Sequence, residues 1–442
     1  MNDNLLNKFI KYVSFNVLGM LGLSFYILGD TFFVAQALGA NGLAALNFSI
    51  SIYSLMHGTG LMIGIGGAAK YSMLKSQNEN EKANRIFTSA FKFTLLLALL
   101  YMLIGIFRSE QLSILLGADS TTIDMTNSYL KTILIFAPFY LLNNLLLAFV
   151  RNDKNPNLPM IAMIVGSVAN VFLDYIFMFK FHMGMFGAAF ATSLAPIISL
   201  SILSIHFIKK NNDFKYIRSS LKLDHIKDII KLGLSAFITE ISSAIALISF
   251  NLVILNIRGN LGVASYGIIA NMALIGVAIF TGVAQGIQPL LSRAYGLSNS
   301  RNLRQIKRYS VFTSIIIAII IYIGIFTYSE NIISVFNSEN NIEIANMTKT
   351  GFEIYFIGFF FAGINIVLTM YLSSIEKTRA AFLISISRGC VIIVPLVIIL
   401  SGMWKMKGIW LAFVLTEFIV SLIALYIILS NRKQLKKRYK SI

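Results

Sequence analysis

The sequence predicts an all-α integral membrane protein of twelve transmembrane helices, set as two pseudo-two-fold-related six-helix bundles around a central cavity. Three observations predict it. Of 442 residues, 57% are hydrophobic and only 13% charged, where a soluble domain carries about 25% charge. Apolar runs of about 20 residues, enough to cross ~30 Å of hydrocarbon, recur along the whole chain. The second half also repeats the first at an offset of 220 or 221 residues.

Twelve runs are read in order: 10–37, 43–68, 86–107, 129–150, 158–180, 186–208, 229–256, 262–288, 309–328, 352–374, 380–402 and 408–430. The N-terminal MNDNLLNKFIKYV has no short cleavable pattern, and the run after it is too long for a signal segment, so it is expected to stay as a span. Pro138, Pro196 and Pro395 interrupt spans and are expected to bend or hinge them. The repeat is carried by ALGANGLAAL and NIRGNLGVASY, with Gly39, Gly42 and Ala44 matching Gly259, Gly262 and Ala264. FGAAFA and KGIWLA repeat in the same way, Gly187 matching Gly408. Each half holds an even number of spans, so both have one orientation and an axis along the membrane normal. The expected domains are 1–208, a basic cytoplasmic linker 209–231, and 232–442 with its basic tail.

Net charge is +18. Of the 37 Lys and Arg, 28 fall on the N-terminal tail and the even-numbered connections, and 7 on the others. By the positive-inside rule both termini are cytoplasmic, and the expected location is the inner (plasma) membrane. The tail NRKQLKKRYK then reads as a topology signal and an anchor for anionic lipid, with no nucleic-acid partner. Cys390 is the single cysteine, so there is no internal disulfide. No phosphate-binding GxxxxGK[ST] motif occurs, and no His/Cys/Glu spacing suggests a structural metal. Neither an enzyme nor a bound cofactor is expected.

Of nineteen acids, only Asp30, Asp174, Glu240 and Glu417 lie clearly inside spans. A carboxylate there costs roughly 2.5–3.5 kcal/mol on insertion scales and is rarely idle. Asp30 lies 7 residues inside the outer end of span 1, roughly 10 Å deep at ~1.5 Å per residue. Asp174 in span 5 and Thr192 in span 6 each come out about 9 Å deep on the same rise. Asn170 is one helical turn from Asp174, and Tyr26 one turn from Asp30. Two carboxylates, an amide oxygen and a hydroxyl suit a small cation or a shared proton, because two close carboxylates do not both stay ionised in low dielectric without a counter-charge. The structural alternative is that each Asp is satisfied separately and only fixes packing. Glu240, near mid-depth in span 7, is either a counter-charge for a cationic substrate or a capped, structural acid. Arg388 and Glu417 reach similar depths from opposite ends, which suggests a neutral structural pair. His57 is expected to be buried and hydrogen-bonded. Some of the 35 Phe and 18 Tyr are expected to hold flat or cationic molecules by stacking.

At GDTFFVAQALGANGLAALNF in spans 1–2 and NVFLDYIFMFKFHMGMFGAAFAT in spans 5–6, the chain resembles the multidrug and toxic compound extrusion (MATE) family. The resemblance covers almost the whole length. It implies cation-coupled export of amphipathic, often cationic drugs and dyes by alternating access. In the DinF-like branch the cation site falls on Asp30, Asn170, Asp174 and Thr192, with Tyr26 beside it. These would be the ligands of Na+, if sodium is the coupling ion rather than H+, and the added amide and hydroxyl oxygens favour Na+ slightly. Two departures stand out. Family prolines early in spans 1 and 7 are replaced by Asn16 and Ser235, and the NorM-like acid of span 10 is absent, the region reading GFFFAGINIVL with Gly363 and Asn365. Glu240 matches the NorM-like acid of span 7. The partners implied are drugs, the coupling ion and membrane lipids, with the chain acting as a monomer. The rival reading within the superfamily is a lipid-linked oligosaccharide or other lipid flippase, which would want intramembrane Arg or Lys in the cavity. A channel or receptor lacks a pore motif or sensory domain here.

Overall fold

In hydrocarbon each backbone N–H and C=O must be paired within the protein, and a continuous helix does this for an apolar run. A computed structural model describes residues 3–337 and 341–438, with the backbone alone for residues 3, 4, 40 and 431–438. The side chains of the basic tail, and hence its expected lipid contact, lie outside the described residues. Among the described residues every regular element is a helix. Among the described residues nine helices are long and apolar enough to cross a membrane, and the bent pair Ile123–Ile135 and Ala137–Asn152 makes a tenth span. Two of these ten, Leu223–Gly296 and Thr378–Ser430, contain non-helical backbone, at Gly259 and at Trp404–Lys405, and each divides in two.

The twelve spans are therefore 5–39, 41–76, 80–115, 123–152, 157–180, 184–208, 223–258, 260–296, 300–327, 342–374, 378–403 and 406–430. Most run past the apolar stretches read from sequence, because the helices continue into polar flanks. The 52° bend of span 4 falls at Phe136, two residues before Pro138, which sits in the first turn of the second segment where its missing N–H costs nothing. Span 1 is unbroken from Leu5 to Gly39. Asn16, where the family often has proline, donates Nδ2 to the Tyr12 carbonyl at 2.7 Å within the helix.

The chain forms two compact units, Met1–Ile241 and Ser242–Ile442. The internal repeat reaches the backbone dihedrals. Gly39 has φ 62°, ψ −151°, and Gly259, 220 residues on, has φ 58°, ψ −151°, a region open essentially to glycine alone. The positive-φ residues Asn78 and Ser298, Lys154 and Glu376, and Gly184 and Lys405 pair at closely similar offsets. The fifth span of each half also carries one π-helical turn, Ile176–Lys180 and Ser387–Val391.

In the first unit, span 2 and the start of span 7 touch backbone to backbone. A Cβ on Gly66 would lie 2.0 Å from the Ile229 carbonyl, and one on Gly233 1.9 Å from that of Met62. Small residues at such crossings are what lets membrane helices approach this closely. The segment before span 7 is an extended strap on the N-terminal half of span 3. The amides of Lys215 and Ile217 donate to Asn84 Oδ1 (3.0 Å) and Thr88 Oγ1 (3.1 Å), and Lys92 Nζ donates to the Ser219 carbonyl (2.6 Å). Alternate residues of an extended chain advance about 6.6 Å, and four helical residues about 6 Å, so the two ladders stay in register. Phe214 is fully buried and anchors the strap among Tyr71, Phe87, Phe149 and Phe207.

Candidate functional site

Span 1 ends at Gly39 rather than residue 37, which puts Asp30 two residues deeper than expected, while Asp174 lies six residues before Lys180, as read from sequence. Both acids are buried, Asp30 6% and Asp174 0% exposed, as are Asn170 (0%) and Thr192 (3%). The structure brings Asn170, Asp174 and Thr192 together. The Asn170 carboxamide lies 3.4 Å from the Thr192 hydroxyl. In the orientation that satisfies both its ends, it donates to Asp174 Oδ2 and accepts from the Thr192 N–H, each at 3.2 Å. Thr192 Oγ1 itself donates to the Ala188 carbonyl at 2.9 Å.

Asp30 approaches from span 1, near enough for its charge to act on Asp174. Oδ1 of each carboxylate is buried with no hydrogen-bond partner, and among the described residues neither acid makes an ion pair. An unsatisfied buried carboxylate oxygen is costly to hold, so the pocket is chemically set to receive a proton or a cation. Two further features lie close to these residues along the chain. Pro196 has no N–H to offer the carbonyl of residue 192, one turn earlier, so the Thr192 C=O lacks its usual helical donor. The π-helical turn Ile176–Lys180 begins two residues past Asp174, and such turns free backbone groups at working sites.

Tyrosines surround the acids. Tyr26 shares a 3.1 Å hydrogen bond with Tyr53 of span 2. Tyr129 and Tyr140 are both 4% exposed, and the charges of Asp30 and Asp174 reach both phenols. Tyr26 was expected from its spacing to Asp30. Tyr53, Tyr129 and Tyr140 were not, since nothing in a tyrosine within an apolar run marks which way it faces.

Glu240 is half-buried on span 7, with its Cβ and Cγ against Gly58 of span 2, where a Cβ would come within 3.3 Å of Glu240 Cβ. His57 is half-buried rather than buried. Its Nδ1 lies 3.4 Å from Asn144 Nδ2, and its ring stacks on Tyr53 at 5.7 Å.

With this geometry in place, the chain can be set against known proteins. The MatE family profile matches residues 16–176 and 236–399, most of the sequence. The chain belongs to the MatE family. Over 423 residues it is 26% identical to multidrug export protein MepA of Staphylococcus saprophyticus, across 95% of this chain and 92% of that protein. It is 24% identical over 427 residues to MepA of Staphylococcus aureus MRSA252, with the same coverage. Among solved structures, the outward-facing conformation of a multidrug resistance MATE transporter superposes with a TM-score of 0.91 at 20% identity, covering 98% of this chain and 96% of that one. A Pyrococcus furiosus transporter of the MOP superfamily, described as having a binding pocket of reverse polarity that suggests a different function, superposes at 0.89 with 21% identity, over 97% and 95% of the two chains. At these identities the likeness to solved structures is one of fold, and it is the all-helical, twelve-span fold expected from the sequence.

The second unit of this MatE chain closes its charges instead of leaving them open. Arg388 Nε donates to Glu417 Oε1. Asn365 Nδ2 donates to Glu417 Oε2 at 2.7 Å and to the Glu417 carbonyl at 2.9 Å, and Ser421 Oγ donates to Asn365 Oδ1 at 2.9 Å. The ion pair suggested by depth is present. Asn365, noted only as standing where an acid was missing, is the residue that completes it.

Proposed function

We propose that this MatE chain is a multidrug efflux transporter of the plasma membrane, working as a cation-coupled antiporter by alternating access. The family and the multidrug export proteins similar to it support efflux of drugs. The observation that carries the coupling is the pair of buried acids, Asp30 and Asp174, each with one unpartnered carboxylate oxygen. In the reading we favour, Na+ or H+ from outside loads this pair, and Na+ is held by Asp30, Asn170, Asp174 and Thr192 with Tyr26 alongside. The Thr192 carbonyl left open by Pro196 is a further oxygen donor, which favours Na+ over a proton needing carboxylates alone. Glu240 receives the cationic part of the drug. The two bundles, 1–208 and 232–442, joined by 209–231, alternate access between the two sides of the membrane, with both termini cytoplasmic and the monomer as the working unit. Coupling is then a difference in drug affinity between loaded and empty states.

The test is efflux of a cationic dye from proteoliposomes under separately imposed Na+ and pH gradients. Asp30→Asn is expected to fold and bind dye but to lose gradient-driven efflux. Normal efflux by that variant overturns the reading. A lipid flippase is the rival, and the Asp30–Asp174 pair weighs against it, because a phosphate head group there would meet two carboxylates.

A further inference from the structure

At the strap end of the first unit, a carboxylate with no part in the function proposed above is the centre of a buried cluster. Asp153, just past span 4, is 7% exposed, His206 near the end of span 6 is 2%, and Tyr71 in span 2 is 1%. Asp153 Oδ1 accepts from the Tyr71 hydroxyl at 3.1 Å. Its Oδ2 accepts from the Asp213 amide of the strap at 2.7 Å and lies 2.9 Å from His206 Nε2. The other ring nitrogen, Nδ1, is 3.4 Å from Asn155 Nδ2. Asn155 Oδ1 accepts from the Leu158 amide, in the first turn of span 5, at 3.3 Å. The ring itself stacks on Phe214 at 6.0 Å.

These bonds have one polarity. The Leu158 N–H fixes which end of the Asn155 carboxamide is oxygen, so the nitrogen end faces His206 and can only donate. Nδ1 is therefore an acceptor without a proton. An ionised carboxylate only accepts, so Nε2 carries the proton. The ring is the neutral Nε2–H tautomer, satisfied at both nitrogens. A second proton would go on Nδ1 and set N–H against N–H. The bond to Asp153 would become charge-assisted and hold. The bond to Asn155 would break, and the carboxamide could meet the imidazolium only by turning over, which takes its oxygen away from Leu158. We infer that His206 is a proton-binding site separate from Asp30 and Asp174, whose protonation releases the entry of span 5 while Asp153 and the strap stay in place. Span 5 carries Asn170 and Asp174 further on, so a proton bound here slackens the end of a helix on which the ion pocket is built. The inference holds whether or not the acid pair couples transport. No other charged group of the cluster takes over from Asn155. Asp213 is held by Lys154 at 3.2 Å, the Tyr71 hydroxyl is given to Asp153, and Arg151, at the end of span 4, is buried and can only donate. Lys209 and Lys210, just past the ring on its own chain, are exposed.

The test reads the mobility of the entry to span 5. A nitroxide is attached at the exposed position 157 through Asn157→Cys in a Cys390→Ser background. Spectra of the purified protein are recorded at about pH 8 and about pH 5.5, on either side of the ordinary imidazole range. In this parent the mobile fraction is expected to rise about fivefold on acidification, the population shift that loss of one helix-end hydrogen bond brings. His206→Gln offers Asp153 the same N–H but takes up no proton, and its mobile fraction should stay flat. Asn155→Asp inverts the sign, because a carboxylate accepts from Nδ1–H and from Leu158 together, so the entry is tight at the lower pH and loose at the higher one. A parent without an acid response overturns the inference, and so does an equal response in His206→Gln or a response of unchanged sign in Asn155→Asp. Should His206→Gln not fold, the sign of the Asn155→Asp response decides alone.

Discussion

Nine residues before Gly39, span 1 carries Asp30; nine residues before Gly259, at the matching place in span 7, the second unit carries Phe250. The backbone around the two positions is alike, down to the dihedrals of the glycines. The chemistry is opposite. Asp30 has a buried oxygen with nothing to bond. Phe250 is 1% exposed and stacks on Tyr266 at 5.2 Å, which stacks in turn on Trp410 at 6.1 Å. The counterpart of Thr192, by the offset of 221 that relates Gly184 to Lys405, is Phe413, packed face to face on Tyr355 at 4.1 Å. Where the first unit keeps two buried carboxylates with one unpartnered oxygen each, the second is filled with aromatic rings. Its own intramembrane charges, half-buried Arg388 and buried Glu417, are paired, and Glu417 is bonded to Asn365. The repeat keeps its breaks and turns in both copies, and among the described residues the buried carboxylates with an unpartnered oxygen lie in the first copy.

The sharpest way to break this comparison is to remove one charge from each unit. Arg388→Met leaves Glu417, 1% exposed, as a buried carboxylate with no counter-charge, and the expected cost is about 3–5 kcal/mol. Thermal unfolding in detergent should show a large fall in midpoint, with much of it recovered in Arg388→Met/Glu417→Leu, where both charges go. Asp174→Asn should behave in the opposite way. It removes a charge that no cation compensates, so stability should change by less than about 1 kcal/mol, the scale of one hydrogen bond, or rise. Equal, large losses from both variants would mean that the first unit's acids are structural after all.

A smaller effect is expected on importing the acid. Phe250→Asp puts a carboxylate at the place in the second unit that matches Asp30, but among rings. Insertion scales put the charge at about 2.5–3.5 kcal/mol, and no amide or hydroxyl cluster stands there to use it. The expected outcome is reduced yield and midpoint with no new ion dependence of dye binding. A variant that gained Na+-dependent binding would show that the backbone alone makes the site.

These contrasts also mark what could be read from residues alone. Asp30 and Asp174 were legible because a charge in an apolar run has few bland explanations, and equal depth suggested that they meet. Arg388 and Glu417 were legible by the same depth argument. The two-unit repeat was legible because glycines with left-handed backbone cannot drift without strain. Tyr53, Tyr129 and Tyr140 were hidden, since the direction a ring faces depends on tertiary packing and leaves no periodic trace. The carbonyl opened by Pro196 was hidden for a related reason. The proline was visible as a possible bend, but its partner one turn earlier mattered only once Thr192 was seen at the pocket. The π-helical turns have no sequence signal of their own.

The smallest predicted effect lies at the last matched pair of breaks. Gly184 enters span 6 with φ 57°, and Lys405 enters span 12 with φ 50° and ψ −129°. A side chain in that region costs on the order of 1–3 kcal/mol, and glycine gives back part of any gain through a freer unfolded chain. Lys405→Gly is therefore expected to stabilise by about 1 kcal/mol, read as a rise of a few degrees in the unfolding midpoint. Gly184→Ala is its mirror. A Cβ there meets nothing nearer than Leu38 at 3.9 Å, so any loss of stability is torsional and not steric. If the two substitutions shift the midpoint by similar amounts in opposite directions, the two breaks are one device under one strain. A neutral Lys405→Gly beside a costly Gly184→Ala would instead mean that span 12 has relaxed its entry and that the repeat is looser there than its dihedrals suggest.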